Sequence, residues 1–121
     1  MQKDKLILFW VGLYDQIDGT MSGKHNRNTR VILEENKEMH TDKSSTHSLY
    51  ISELDYQTGN INRVKYAPMW KKLSKETGNV YYTGDDSLRI NIVIHKNRNK
   101  TEDKHPDWVV FKSEKITNYE R

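Results

Sequence analysis

Residues 88–95 read Leu-Arg-Ile-Asn-Ile-Val-Ile-His. Leu88, Ile90, Ile92 and Ile94 alternate with Arg89, Asn91, Val93 and His95. Successive side chains on a strand point to opposite faces, so this period of two describes a half-buried strand. Moving outward, residues 80–83 and 108–111 read as neighbouring strands, being β-branched and aromatic. Residues 63–70 give a fourth, and Pro68 predicts that it ends at a sheet edge, because proline cannot donate to a ladder. Thr77-Gly78-Asn79 reads as a hairpin turn, and the same tripeptide stands at Thr58-Gly59-Asn60. Upstream, residues 5–13, 29–34 and 47–54 read as strands, with a weaker one at 19–22. No stretch carries a helical stripe, and Ala67 is the only alanine, a usage foreign to helical proteins. The expected fold is all-β, with about eight strands in one sandwich or barrel-like body.

The chain repeats itself. Trp10 and Leu13 lie 60 residues before Trp70 and Leu73. After a one-residue slip the offset is 61, placing Gly23 on Gly84, Asn36 on Asn97, Asp42 on Asp103, Lys43 on Lys104 and Ser52-Glu53 on Ser113-Glu114. Residues 31–33 and 92–94 are both aliphatic, and Tyr50 falls on Phe111. These matches predict two tandem, structurally related β units, residues 1–60 and 61–121, of about four strands each. A unit of that size buries too little surface to stand alone. The two should pack as one domain over residues 1–121 with approximate two-fold symmetry, and Trp10 and Trp70 should be equivalent. Trp10, Trp70, Leu33, Ile92, Ile94 and Val110 are the expected core.

The second unit resembles a known pattern. Trp70-Lys71-Lys72, Ser74, Gly78, Tyr81, Gly84, Ile92, Asn97, Lys100 and Pro106-Asp107-Trp108 follow in order. The order is similar to that of a family of very small β proteins of phages and other mobile elements, here in tandem. The resemblance covers residues 70–114 and reaches the first unit through Trp10, Gly23, residues 31–33, Asn36 and Lys43. The first unit has Ser45-Thr46 where the second has Pro106-Asp107. The family has no settled activity, so the resemblance implies a phage or mobile-element origin and a bacterial cytoplasmic setting.

Composition excludes more than it names. The chain has 121 residues, no cysteine, 34% hydrophobic and 31% charged residues, and a mean hydropathy of -0.97. Disulfides, thiolate zinc sites and cysteine nucleophiles are thereby excluded. The apolar run over residues 6–13 is too short to span a bilayer, and no small-residue cleavage site follows it. No catalytic motif stands out. His40 with Asp42 reads as a solvated loop pair, and Gly84-Asp85-Asp86-Ser87 as a turn. Glycines are scattered, so no phosphate-cradling loop exists. The expectation is a non-catalytic protein without metal or cofactor.

Charge says more. Residues 1–60 carry 7 Lys and Arg against 9 Asp and Glu, a net -2; residues 61–121 carry 13 against 8, a net +5. Equivalent loops differ most, with Glu34, Glu35 and Glu38 in one and Lys96, Arg98 and Lys100 in the other. Cations beside flat aromatic rings suit single-stranded nucleic acid, which needs charge for phosphate and ring faces for bases. The candidate contact residues are Lys71, Lys72, Lys75, Arg89, Lys96, Arg98 and Lys100, with Tyr81 as the stacking aromatic. The alternative is an inhibitor that docks on and disables a host defence protein, for which a dipolar body is also suited. Exposed strand edges would further permit a homodimer.

Overall fold

The computed structural model describes residues 4–37, 44–86 and 90–116. Eight strands follow in chain order: β1 (Asp4–Asp15), β2 (Met21–Asn26), β3 (Thr29–Glu35), β4 (His47–Leu54), β5 (Ile61–Leu73), β6 (Val80–Asp85), β7 (Asn91–Lys96) and β8 (Trp108–Ile116). Each pairs antiparallel with its sequence neighbours, and β8 returns to pair with β1, closing a barrel. The all-β, barrel-like expectation holds. Of the opening stretch, Leu88 and Arg89 lie outside the described residues, while Ile92 and Ile94 point inward and are fully buried.

The edge expected at Pro68 is local: Pro68 pairs only with Ser48 of β4 and lies outside the β5–β6 ladder, while β5 as a whole has a neighbour on each side and is no terminal strand. The missing N–H of Pro68 is tolerated because β5 changes partner there: pairing with β4 runs to Met69, and pairing with β6 starts at Trp70. Closure leaves no terminal strand among the described residues, since each of the eight strands has two neighbours, although β1 and β5 pair with them one after the other along their length.

The inward face is filled by Val11, Leu13, Met21, Val31, Leu33, Leu49, Ala67, Met69, Tyr82, Ile92, Ile94, Trp108 and Val110. Strand alternation supplies these, so the barrel is a packed core. Leu33, Ile92, Ile94 and Val110 meet the core expectation. Trp10 is half-buried and packs against the core from its edge. Trp70 departs from expectation. It pairs with Thr83, one step out of phase with buried Tyr82 and Gly84, and is half-buried on the outer face.

Register reveals the internal symmetry. Gly23 pairs with Val31 as Gly84 pairs with Ile92, and Leu33 with Leu49 as Ile94 with Val110, all at an offset of 61. The Asn36 side chain donates to Ser45 O at 2.9 Å, and that of Asn97 to Pro106 O at 2.9 Å. For β1 and β5 the offset is different. Leu13 faces Trp108 as Met69 faces His47, and Val11 faces Val110 as Ala67 faces Leu49, an offset of 56. Both ladders carry a register shift, at Trp10 and at Tyr66. Strand n thus maps onto strand n+4, diametrically across the barrel and in the same direction, which places the two-fold along the barrel axis. The expected equivalence of Trp10 and Trp70 is corrected: Trp10 corresponds to Tyr66, and Trp70 to Tyr14. The cause is the longer β5–β6 hairpin, whose ladder continues to Leu73–Val80 where that of β1–β2 stops at Asp15–Met21.

Aromatic clusters fill both ends of the barrel. Toward the end where β1 and β5 finish, the Tyr82 ring lies edge-on to His47 at 4.9 Å and to Trp108 at 5.6 Å. The Trp108 indole donates to Asp15 Oδ1 at 3.0 Å. Toward the opposite end, the equivalent Trp10 and Tyr66 meet with centroids 5.3 Å apart. Lys112 Nζ sits 4.0 Å from the Trp10 ring centre and donates to the Tyr66 hydroxyl at 2.8 Å. That hydroxyl donates to Asp86 Oδ2 at 2.8 Å, and burial, with Asp86 beside it, pushes its pKa up to about 12. Burial also holds Lys112 below its usual value.

Candidate functional site

The β5–β6 hairpin turns at Ser74-Lys75-Glu76-Thr77-Gly78-Asn79. Ser74 N–H donates to Asn79 O at 2.9 Å, Gly78 N–H donates to Ser74 O at 2.8 Å, and Gly78 takes φ 75°. The Asp55–Asn60 turn repeats this geometry, with φ 77° at Gly59, so both Thr-Gly-Asn tripeptides are hairpin turns as expected. Between the β5–β6 hairpin and the end of β7 lies an open groove of about 600 Å³. Lys72, Lys75, Lys96 and Arg98 line it with Tyr81 and His95, and Leu73 stands exposed at its rim. Glu76 is the one carboxylate among the described residues that line it.

Strand pairing explains the convergence. Lys72 faces Tyr81 across β5–β6, and Tyr81 faces His95 across β6–β7, all on the outer surface. The Tyr81 and His95 rings lie near-parallel, with centroids 6.2 Å apart. Burial first, then the Arg98 guanidinium, holds the His95 pKa below its ordinary value and so favours the neutral imidazole.

Five of the eight expected contact residues line one groove, Lys72, Lys75, Tyr81, Lys96 and Arg98, but Lys96 lies on the inward phase of β7 opposite Trp108 and holds its Nζ 5.5 Å from that indole ring. Lys71 does not join them. It faces Tyr82, on the inward phase of β6, and lies near His47 at the barrel end. Lys100 is engaged in holding the β7–β8 loop. Its Nζ lies 3.1 Å from Asp107 Oδ1 and donates to His105 O at 2.8 Å. Arg89, His40 and Asp42 lie outside the described residues. Asp86 is a buried turn residue, accepting from Ile90 N–H at 3.0 Å as well as from Tyr66. Among the described residues no three His, Asp or Glu side chains are grouped to hold a metal. No helix of the described residues is long and apolar enough to cross a membrane.

The barrel two-fold carries this groove onto a second one, lined by Gln16, Ile17, Asp18, Thr20, Ser22, Ile32, Glu34 and Arg63. Thr20 stands where Tyr81 stands, and Glu34 where His95 stands. Glu34 is paired with Arg63 at 2.6 Å. Thr20 hydrogen bonds hold Asp18 below the usual carboxylate range. One backbone frame thus presents a basic, aromatic groove on one side and an acidic, self-paired groove on the other.

Sequence reasoning missed part of the neighbouring surface. Phe111 lies on the outer face, in contact with Phe9 at 5.9 Å and with His95 at 6.3 Å between ring centroids. The signal for Phe111 was its parity: Trp108 and Val110 point inward, so Phe111 points out. Phe9 gave no signal, because the apolar run over residues 6–13 hides the alternation. Comparison with protein-family models, curated proteins and solved structures finds no match to this chain.

Proposed function

We propose that this is a non-catalytic binding protein that holds single-stranded nucleic acid in the groove between the β5–β6 hairpin and β7. Lys72, Lys75, Lys96 and Arg98 neutralise phosphates, and Tyr81 offers its ring to a base. The observation that carries the reading is the contrast between the two symmetry-related grooves. Structural need alone would leave both grooves alike, since both sit on the same frame. Only the groove between the β5–β6 hairpin and β7 gathers cations around outward-facing rings. The resemblance of residues 70–114 to small mobile-element proteins supports an accessory role for a phage or related element in the bacterial cytoplasm.

The test is a labelled oligonucleotide titrated across ionic strength. Log affinity should fall linearly with log salt, because neutralised phosphates release counterions. The combined variant Lys72→Glu, Lys96→Glu and Arg98→Glu should lose on the order of a hundredfold in affinity at low salt. Its fold should persist, as the first unit already carries Glu35 at the position of Lys96. Lys100 is left intact because it holds the loop. An unshifted oligonucleotide at low ionic strength defeats the reading. Recovery of one stoichiometric host protein on the same groove would then favour the inhibitor.

A further inference from the structure

Tyr81, His95, Phe111 and Phe9 form a continuous row of rings across the outer face of β6, β7, β8 and β1. Successive ring centroids are 6.2, 6.3 and 5.9 Å apart. Tyr81 and His95 are direct cross-strand partners, as are Phe111 and Phe9, and His95 meets Phe111 diagonally. The row begins in the basic groove and ends on the first unit, where Phe9 is 58% exposed. A chain of low apolar content has little reason to leave such a ring on its surface without a partner.

We infer that this row is a stacking track for the bases of an extended single strand, one base per ring, giving a footprint of about four nucleotides that crosses from the second unit onto the first. The inference rests on the proposed nucleic-acid function and extends it to Phe9, Phe111 and His95. Ring spacing selects the ligand. Nucleotides stacked in a duplex rise only about 3.4 Å each, whereas neighbouring rings here are about 6 Å apart. Bases must therefore be unstacked from one another to meet successive rings, and a duplex keeps its base faces covered. Charge sets the direction of loading. Lys72, Lys75 and Arg98 cluster at the Tyr81 end, so the backbone is gripped there and the bases are laid toward Phe9. Stacking tolerates any base because every base has a π-face, so little sequence preference is expected.

Oligothymidylates of two to eight nucleotides, with a duplex of matched length as competitor, provide the test. Affinity should climb steeply up to about four nucleotides and slowly thereafter, and the duplex should compete poorly. Phe9→Ala should weaken the six-nucleotide ligand about fivefold or more and leave the two-nucleotide ligand unchanged. Phe9→Tyr, which keeps a ring, should restore affinity. The exposure of Phe9 makes both variants compatible with the fold, and an unchanged thermal transition checks this. Length dependence complete at two nucleotides, or a six-nucleotide affinity indifferent to Phe9→Ala, overturns the track while salt-sensitive binding in the basic groove stands. Absence of any oligonucleotide binding overturns both. If sedimentation shows that Phe9→Ala instead dissociates a dimer without touching oligonucleotide affinity, the row is covered by a second copy and the track is wrong.

Discussion

At the scale of single residues, the barrel depends on what two glycines lack. A Cβ built on Gly23 would collide with the carbonyl oxygen of Gly12, and one on Gly84 with that of Pro68. The obstacles are backbone atoms of β1 and β5 at symmetry-related positions, so no side chain can swing aside. Gly23→Ala and Gly84→Ala should each cost about 2–4 kcal/mol, more than ordinary overpacking between side chains. Gly59 has nothing within 4 Å of a built Cβ and takes φ 77°. Gly59→Ala should therefore cost only about 1–2 kcal/mol, the strain of a left-handed residue. Denaturant midpoints of the three variants check the order, and Gly59→Ala as the worst of them would contradict it. Trp108→Phe offers a gentler probe. It keeps the ring packed against Tyr82 but loses the indole bond to Asp15, a loss of about 1 kcal/mol.

Strand by strand, the sequence is readable where both faces carry contrasting residues. β7 and β8 announce themselves through alternation, and the two Thr-Gly-Asn turns through glycine chemistry. β1 and β5 do not. Each is long, serves two neighbouring strands in succession and shifts register at a bulge, so no single alternation runs through it. The pairing of Trp10 with Trp70 fails for that reason: equal residues with a convenient spacing outvote a four-residue difference that only hairpin length reveals. The basic groove is half legible. Sequence neighbours Lys71 and Lys72 look alike, yet strand parity sends one to the barrel end and the other outward. Elements also set the response to acid. His47 opens β4 and His95 closes the outer face of β7. Burial is the leading cause that holds both below the ordinary value of 6.5, with Lys71 adding to the effect at His47 and Arg98 at His95, while Glu35 opposes it at His47. The unfolded chain therefore binds protons first as pH falls below about 6.5, and stability contributed by the neutral imidazoles is lost from there down to the folded values. Chemical unfolding at pH 7.5 and 5.5 should show a lower midpoint in acid. His47→Gln should flatten that difference, and an unchanged difference would remove His47 as a source.

For the molecule as a whole, closure depends on two equivalent seams. β4 meets β5 and β8 meets β1, through ladders that match residue for residue on either side of the same bulge. Residues 61–121 alone would expose both the β5 face of one seam and the β8 face of the other. A half-barrel leaves its inward aliphatic side chains in water, and a unit of this size cannot offset the chain entropy lost on folding. The isolated fragment should therefore show no cooperative, concentration-independent thermal transition. Its two open sides are nevertheless complementary, because β8 of one copy can take β5 of another where it normally takes β1. Ala67 and Met69 would then face Val110 and Trp108, replacing Val11 and Leu13, and Tyr66 would meet a second Tyr66 where Trp10 now sits. A two-fold barrel of two fragments is geometrically allowed but smaller in its core, and its net charge of +5 per copy opposes assembly. Any folded signal should accordingly rise with fragment concentration and with salt, which screens that repulsion. Circular dichroism melts over a hundredfold concentration range, at low and high salt, decide the matter. A sharp transition at the same temperature across that range would show that one unit folds by itself, and the account of the barrel as two mutually dependent halves would fall.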